Sequence, residues 1–223
     1  MKFGVVKQWI SENSEVSGIF ENAVKNLERH GVTLVEIDLT PPEESHQEDG
    51  LLVLLYELSE GLRTYLASRP GARVANLREI VAFNNENSSV ELQHFGQELF
   101  DLALEYEVKM VEYQQSHSRN LEWAEKTLAQ GLKDVDVMIG CTYGPSWQSS
   151  LINGDTYEGA TWITSAPAIA GTPIGTIPMG LASGLPVGLG FVSARNQENQ
   201  LVSAMARAER ALGLGVLQPT FLK

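Results

Sequence analysis

Basic residues are scarce in this chain. Its 223 residues include 16 Lys and Arg against 28 Asp and Glu, a formal net charge of −12. Phosphate binding needs a basic patch, so this balance argues against nucleic acid and against anionic membrane surfaces as partners. Cysteine is almost absent: Cys141 is the single one, which rules out an internal disulfide and suits a reducing cytosol. No apolar run reaches the roughly 18 residues of a spanning helix. The N-terminal Met1-Lys2-Phe3-Gly4-Val5-Val6 has too short an apolar run for a signal peptide. The expectation is a cytoplasmic protein with no membrane contact. The four histidines, His30, His46, His94 and His117, show no i,i+4 pairing and no Cys/His cluster at ligand spacing. Asp134, Asp136 and Asp155 do not form a calcium loop. No phosphate-binding glycine motif follows a strand, since Gly184–Gly190 reads G-L-P-V-G-L-G. Neither a metal nor a cofactor is expected.

What is present is an ordinary globular composition, 43% hydrophobic and 20% charged. The length suits one large α/β domain over residues 1–223 with a helical block at about 50–131. Phe3–Val6 reads as a strand. From Glu15 to Arg29 apolar residues recur at helical spacing, and Gly31 closes that helix. Val32–Leu39 alternates as a second strand, so the opening is a βαβ unit. Thr40-Pro41-Pro42 breaks the pattern. Helices are then expected over Leu51–Ala67, over Leu77–Asn84 with Asn76 as its cap, over Gly96–Ala103 and from about Glu105 to Gly131. Asn84–Ser89 reads as polar loop. Val135–Cys141 is a β-rich run that ends in Thr142-Tyr143-Gly144-Pro145. Because ligands collect beyond the carboxyl ends of strands in open α/β sheets, Cys141–Trp147 is the pocket candidate.

The stretch Ser165–Val192 holds four of the nine prolines and six of the twenty glycines. It contains two short apolar runs, Ile174–Pro178 and Val187–Val192, with the turn pair Ser183-Gly184 between them. They read as antiparallel neighbours, with Pro178 at a strand end or an edge. Asn196 then caps a final helix that runs to about Ala211 and stops at Gly213.

The run A-P-A-I-A-G-T-P-I-G-T-I-P-M-G from Ala166, then G-L-P-V-G-L-G-F-V and N-Q-E-N-Q-L-V, resembles the C-terminal end of amidase signature family hydrolases. Leu62–Ala67, Ile80–Asn84 and Phe95–Glu98 resemble the same family. Gly144-Pro145-Ser146-Trp147 followed by Ile152-Asn153-Gly154-Asp155 is most similar to its peptide-amidase-like branch. The resemblance covers about the second half of such an enzyme. It implies a mixed sheet with outer helices and an amide hydrolase that works through an acyl-serine intermediate on small amides or C-terminal peptide amides. In the family a lysine and a glycine- and serine-rich loop supply a Ser–cis-Ser–Lys triad in the first half. This chain has no Gly-Gly pair, and its Ser-Gly pairs are Ser17-Gly18 and Ser183-Gly184, neither in such a loop. No catalytic residue is therefore carried over, and the chain is expected to be inactive alone. It would be a cut domain, a natural fragment or one piece of a larger assembly, partnered by a triad-bearing N-terminal half or by a second copy of itself.

Other chemistry has weaker grounds. Cys141 as a nucleophile would need a nearby base, and a buried structural thiol accounts for it more simply. Ser146, Ser149, Ser150 and Ser165 lack a nucleophile elbow. Lys7, Lys109, Lys126 and Lys133 have polar or helical neighbours and read as solvated. The candidate binding set is Tyr143, Trp147, Asn153, Asp155 and Trp162, since aromatics with a few polar groups make a small-molecule pocket. The competing reading places both tryptophans in the core. The alternative function is a non-catalytic small-molecule- or partner-binding protein built on the same cleft loops.

Overall fold

The computed structural model describes residues 1–220, and its central strand is β3 (Val137–Cys141), buried at all five positions. Neighbours lie on both sides of it, so its run is apolar throughout rather than alternating. β1 (Lys2–Val6) pairs with β3 in parallel, Phe3 opposite Val137, and with β2 (Thr33–Ile37) in parallel on its other side. Beyond β3 come β5 (Leu185–Val192) and then β4 (Ile174–Ala182), both antiparallel, giving the order β2-β1-β3-β5-β4. The α/β class and the mixed sheet expected from the sequence are what the chain forms.

The period-two alternation of strand side chains sorts residues onto the two faces. Val137, Ile139 and Cys141 of β3, with Phe3 and Phe191, join a core built with α1 (Ser14–Arg29) and α8 (Glu198–Leu212). Val16, Phe20, Ala23 and Leu27 supply the buried stripe of α1, while Leu201, Ala204, Ala208 and Ala211 supply that of α8. Met138 faces the other way, into a cluster of Val6, Trp9, Leu39, Ile163, Val192, Ala166 and Ala170 of α7 (Ser165–Ala170), and Ala124 and Leu128 of α6 (Met110–Gly131).

Local chemistry sets the ends of these elements. Asn13 caps α1, its side chain accepting from the Glu15 and Val16 N–H groups. Gly31 follows at φ 74°, the left-handed conformation that glycine adopts freely. The β4–β5 hairpin turns through Ser183 (φ 48°) and Gly184 (φ 80°), a two-residue loop with positive φ at both positions. Glu15 anchors it by accepting from the Ser183 N–H and hydroxyl, at 2.8 and 3.1 Å. Pro178 lies inside β4 rather than at its end. It is tolerated there because β4 is the edge strand and the register shifts between Pro178 and Gly180.

The internal contacts of the chain divide it into two compact units, one made of Met1–Pro41 with the chain from Trp123 onward, the other of Pro42–Glu122. The second is helical. It contains α2 (Glu44–Ala67), α3 (Leu77–Glu86), α4 (Ser88–Glu91), α5 (Glu98–Tyr106) and the first part of α6. Its core joins Leu55, Leu77, Val81 and Ala103. As expected, Asn76 caps α3, accepting from the Glu79 N–H at 3.0 Å. Asp49 ties α2 to α6 through two bonds from Arg119 and one from the Ser116 hydroxyl.

Three expectations need correction. The polar stretch 84–89 is largely helical, because α3 runs to Glu86 and α4 starts at Ser88. α2 begins at Glu44, about two turns before Leu51. Its first turn is acidic, which the partial positive charge of a helix N-terminus favours. Asn196 is not the cap of α8. It sits at φ 61° in the turn before the helix, and Gln197 takes the cap position without a side-chain bond. No helix among the described residues is long and apolar enough to cross a membrane.

Candidate functional site

β3 ends at Cys141, and the chain leaves the sheet there. The loop it enters is pinned at its neck. The Thr161 hydroxyl donates to the Cys141 carbonyl at 2.8 Å, and the Ser11 hydroxyl donates to the Gly159 carbonyl at 2.7 Å. Asn13 donates from Nδ2 to Glu158 at 3.1 Å. Gly144 packs so closely on this neck that a Cβ there would lie 2.1 Å from the Glu158 carbonyl oxygen. The loop therefore folds back over the sheet end instead of running free.

Between the loop and the β4–β5 hairpin lies a cleft of about 340 Å³, lined by Thr142–Trp147, Thr176–Pro178 and Pro186–Gly188. The position matches the expectation that a site forms beyond the carboxyl end of β3. Tyr143 and Trp147 line it and face each other at 6.2 Å between ring centroids. Tyr157 continues the aromatic row, 5.7 Å from Trp147. Asp155 stands behind this row. It accepts from Trp147 Nε1 at 3.1 Å and from the Tyr157 hydroxyl at 3.4 Å, which fixes the indole in place.

The other two members of the sequence-based set lie elsewhere. Asn153 is exposed in a turn, its backbone N–H donating to the Ser150 hydroxyl at 3.0 Å, and it does not line the cleft. Trp162 packs edge-on against Trp9 at 5.5 Å and lies 6.2 Å from Trp123, among the residues of the apolar cluster beneath the sheet. So Tyr143, Trp147 and Asp155 come together, while Asn153 and Trp162 stay apart from them.

The floor of the cleft was not read from sequence. Thr142, just past β3, and Thr176 of β4 bond hydroxyl to hydroxyl at 2.7 Å across the intervening β5, and Thr176 also donates to the Leu189 carbonyl at 3.2 Å. Gly188 makes room for the pair, since a Cβ there would meet their hydroxyl oxygens at 2.4 and 2.7 Å. The one available signal was Thr176 as the sole polar side chain in the apolar run Ile174–Pro178.

Nucleophile and base candidates can be placed as well. Cys141 is fully buried, and its sulfur accepts a 3.5 Å bond from the Ser11 N–H. Burial pushes the thiol up from its ordinary value and outweighs the opposing backbone bonds, so the reactive thiolate is disfavoured. Ser146 is exposed on the cleft rim. Ser150 serves its turn, and Ser165 opens α7. Lys7 pairs with Glu36 at 2.8 Å, and Lys109 lies 4.2 Å from the Tyr106 ring. Lys126 and Lys133 are exposed. Among the described residues the cleft lining contains no Lys, Arg, His, Asp or Glu. Among the described residues no group of three or more His, Cys, Asp or Glu could hold a metal ion.

A model of the amidase family matches residues 1–202. A glutamyl-tRNA(Gln) amidotransferase component from Streptococcus pneumoniae is 28% identical over 241 residues, which covers 98% of this chain and 46% of that protein. The solved structure of the peptide amidase from Stenotrophomonas maltophilia superposes with a TM-score of 0.85 at 27% identity, covering 99% of this chain and 44% of that one. An amidase family protein from Bacillus anthracis shares the fold, with a TM-score of 0.76 at 22% identity, over 99% of this chain and 40% of that one. The chain thus spans just under half the length of the relatives it matches. Sheet order, cleft position and the match over residues 1–202 lead to one conclusion, that the chain belongs to the amidase family.

Proposed function

We propose that this chain forms scaffold and cleft wall of an amide (C–N) hydrolase, and that the Ser–cis-Ser–Lys machinery lies outside these residues. The observation that carries the reading is that, among the described residues, the cleft lining has no base beside a hydroxyl or thiol. Thr142 and Thr176 bond each other, Thr176 also donates to the Leu189 carbonyl, and Cys141 is buried. A serine or cysteine nucleophile needs an adjacent base and converging oxyanion donors, and among the described residues the lining holds no Lys or His to act as that base.

The substrates under this reading are small amides or C-terminal peptide amides, in keeping with the likeness to a peptide amidase. The aromatic row of Tyr143, Trp147 and Tyr157 would receive their apolar parts. The partner is a triad-bearing polypeptide of the same family, or a second copy of this chain. Leu151, Ile152 and Tyr157, exposed at 63%, 94% and 63% on the cleft loop, support a surface that another polypeptide covers.

The test is a turnover assay of the purified chain on a panel of aryl and peptide amides, beside sedimentation of the same sample. The chain alone is expected to show no turnover and to self-associate or capture a complementary amidase polypeptide. Turnover that survives repurification overturns the reading. Ligand-induced thermal shifts without turnover, in a strictly monomeric sample that takes no partner, would favour the binding-protein alternative.

A further inference from the structure

The hydroxyl pair on the cleft floor has a direction, and the direction specifies a ligand. A hydroxyl carries one hydrogen and a carbonyl carries none. The 3.2 Å bond between Thr176 and the Leu189 carbonyl therefore uses the Thr176 hydrogen. The 2.7 Å bond between the two hydroxyls must then run from Thr142 to Thr176. Both hydrogens point inward along this relay. What the floor offers to the cleft is lone pairs only: two on Thr142 Oγ1 and one on Thr176 Oγ1.

A surface of acceptors selects a donor. An ammonium group would need a counter-charge when withdrawn from water, and among the described residues no carboxylate lines the cleft. Asp155 is already engaged by Trp147 and Tyr157 behind the wall. A carboxylate ligand would set its own lone pairs against those of the floor. A neutral N–H donor beside an apolar or aromatic body meets every condition.

We propose that the Thr142–Thr176 relay is the specificity element of the cleft, accepting an N–H of a primary carboxamide whose apolar portion rests on Tyr143 and Trp147. The proposal rests on the reading of the cleft as an amide-hydrolase wall and extends it to named residues. Gly188 belongs to the same device, since any larger residue there would push the two threonines apart.

The experiment measures binding of three matched probes to the purified chain by tryptophan emission and NMR titration: N-acetylphenylalaninamide, its methyl ester and the free acid. The amide is expected to bind about three- to tenfold more tightly than the ester, the worth of one neutral hydrogen bond. The acid should bind most weakly. In Thr142→Ser, which keeps the hydroxyl, the preference should persist. In Thr176→Val the relay is cut and the Thr142 hydrogen is released toward the cleft, so the preference should vanish or reverse in favour of the ester. Near-UV circular dichroism of each variant reports that the fold is retained. Equal binding of amide and ester, no binding of any probe, or a preference that survives Thr176→Val overturns the proposal. None of these outcomes touches the reading of the chain as a wall without its own nucleophile, which falls only if the chain alone turns over amides.

Discussion

Replacing Gly140 by Ala tests how tightly the two halves of the core grip the central strand. A Cβ built at Gly140 lies 2.4 Å from Trp9 Cβ, 3.0 Å from the Trp9 carbonyl oxygen and 3.3 Å from Trp9 Cγ. These atoms are the root of a fully buried side chain and its own backbone, so no rotation of a flexible end relieves the clash. β3 is also held on both sides, by β1 and β5, and cannot shift outward. Overpacking of this kind costs about 1–3 kcal/mol. Against it stands the stiffer unfolded chain of an alanine variant, a gain of about 0.4–1 kcal/mol. The clash wins, and Gly140→Ala should lose about 1–2 kcal/mol. Gly175→Ala is the control. Its Cβ would meet the Met205 sulfur at 2.5 Å and the Met205 methyl carbon at 3.0 Å, the far end of a flexible side chain that can turn aside. That variant should stay within about 0.5 kcal/mol of the parent. All four tryptophans lie in the sheet-bearing unit, so urea unfolding followed by tryptophan emission reports on that unit. With a slope of about 2 kcal/mol/M, the Gly140→Ala midpoint should fall by roughly 0.5–1 M. Equal midpoints for Gly140→Ala and the parent, or a larger loss in Gly175→Ala, would refute the reasoning.

Other expectations follow from burial and charge. Cys141 should resist a thiol reagent in the native chain and react promptly in denaturant, because the thiol is buried and its ionisation is disfavoured; fast native labelling contradicts this placement. The Asp49 carboxyl is held below its ordinary value of 3.8, chiefly by the bonds from Arg119. Its folded-state value being depressed, its contribution is fully present above pH 3.8 and disappears as pH falls through the lower folded value. Asp49→Ala should lower the stability of the helical unit by about 1–2 kcal/mol at neutral pH, by leaving the buried Ser116 hydroxyl without its acceptor, and the gap to the parent should narrow in acid; a gap independent of pH argues against this role. Asp155→Ala should weaken binding of an aromatic amide a few-fold by freeing the Trp147 indole, with no change in melting temperature beyond a degree or two; unchanged affinity would mean that Trp147 needs no fixing.

Where periodicity and turn chemistry act locally, the sequence was readable. The β1–α1–β2 opening, the hairpin around Ser183-Gly184 and the Asn76 cap each depend on residues close in the chain, and each is found. Failures came where a residue type has two uses. Asn196 suits a helix cap, but it also tolerates the left-handed conformation, and the turn before α8 takes that second use. α7 was hidden by Pro167, which falls in its first turn, where the backbone N–H has no intrahelical partner to lose. The site divided along the same line. The loop after β3 was legible as a pocket candidate because ligand sites follow strand ends, and Tyr143, Trp147 and Asp155 all fall within this one segment after β3. Trp162 sits only a little further on, yet its surroundings are Trp9 and Trp123, whose approach depends on the tertiary fold. The Thr142–Thr176 bond joins residues 34 apart across a strand pairing, and no spacing rule announces it.

The parallel pairing of β1 with β3 has a bearing on biosynthesis. Lys2 donates its N–H to Asp136, 134 positions further along the chain. A ribosome adding roughly 5–20 residues per second needs about 7–27 s to make that interval. For all of that time Phe3 and Val6, both fully buried in the finished molecule, are without β3 beside them. The helical unit is translated in between and has its own apolar cluster, so it can condense first, while β1 waits for its central neighbour.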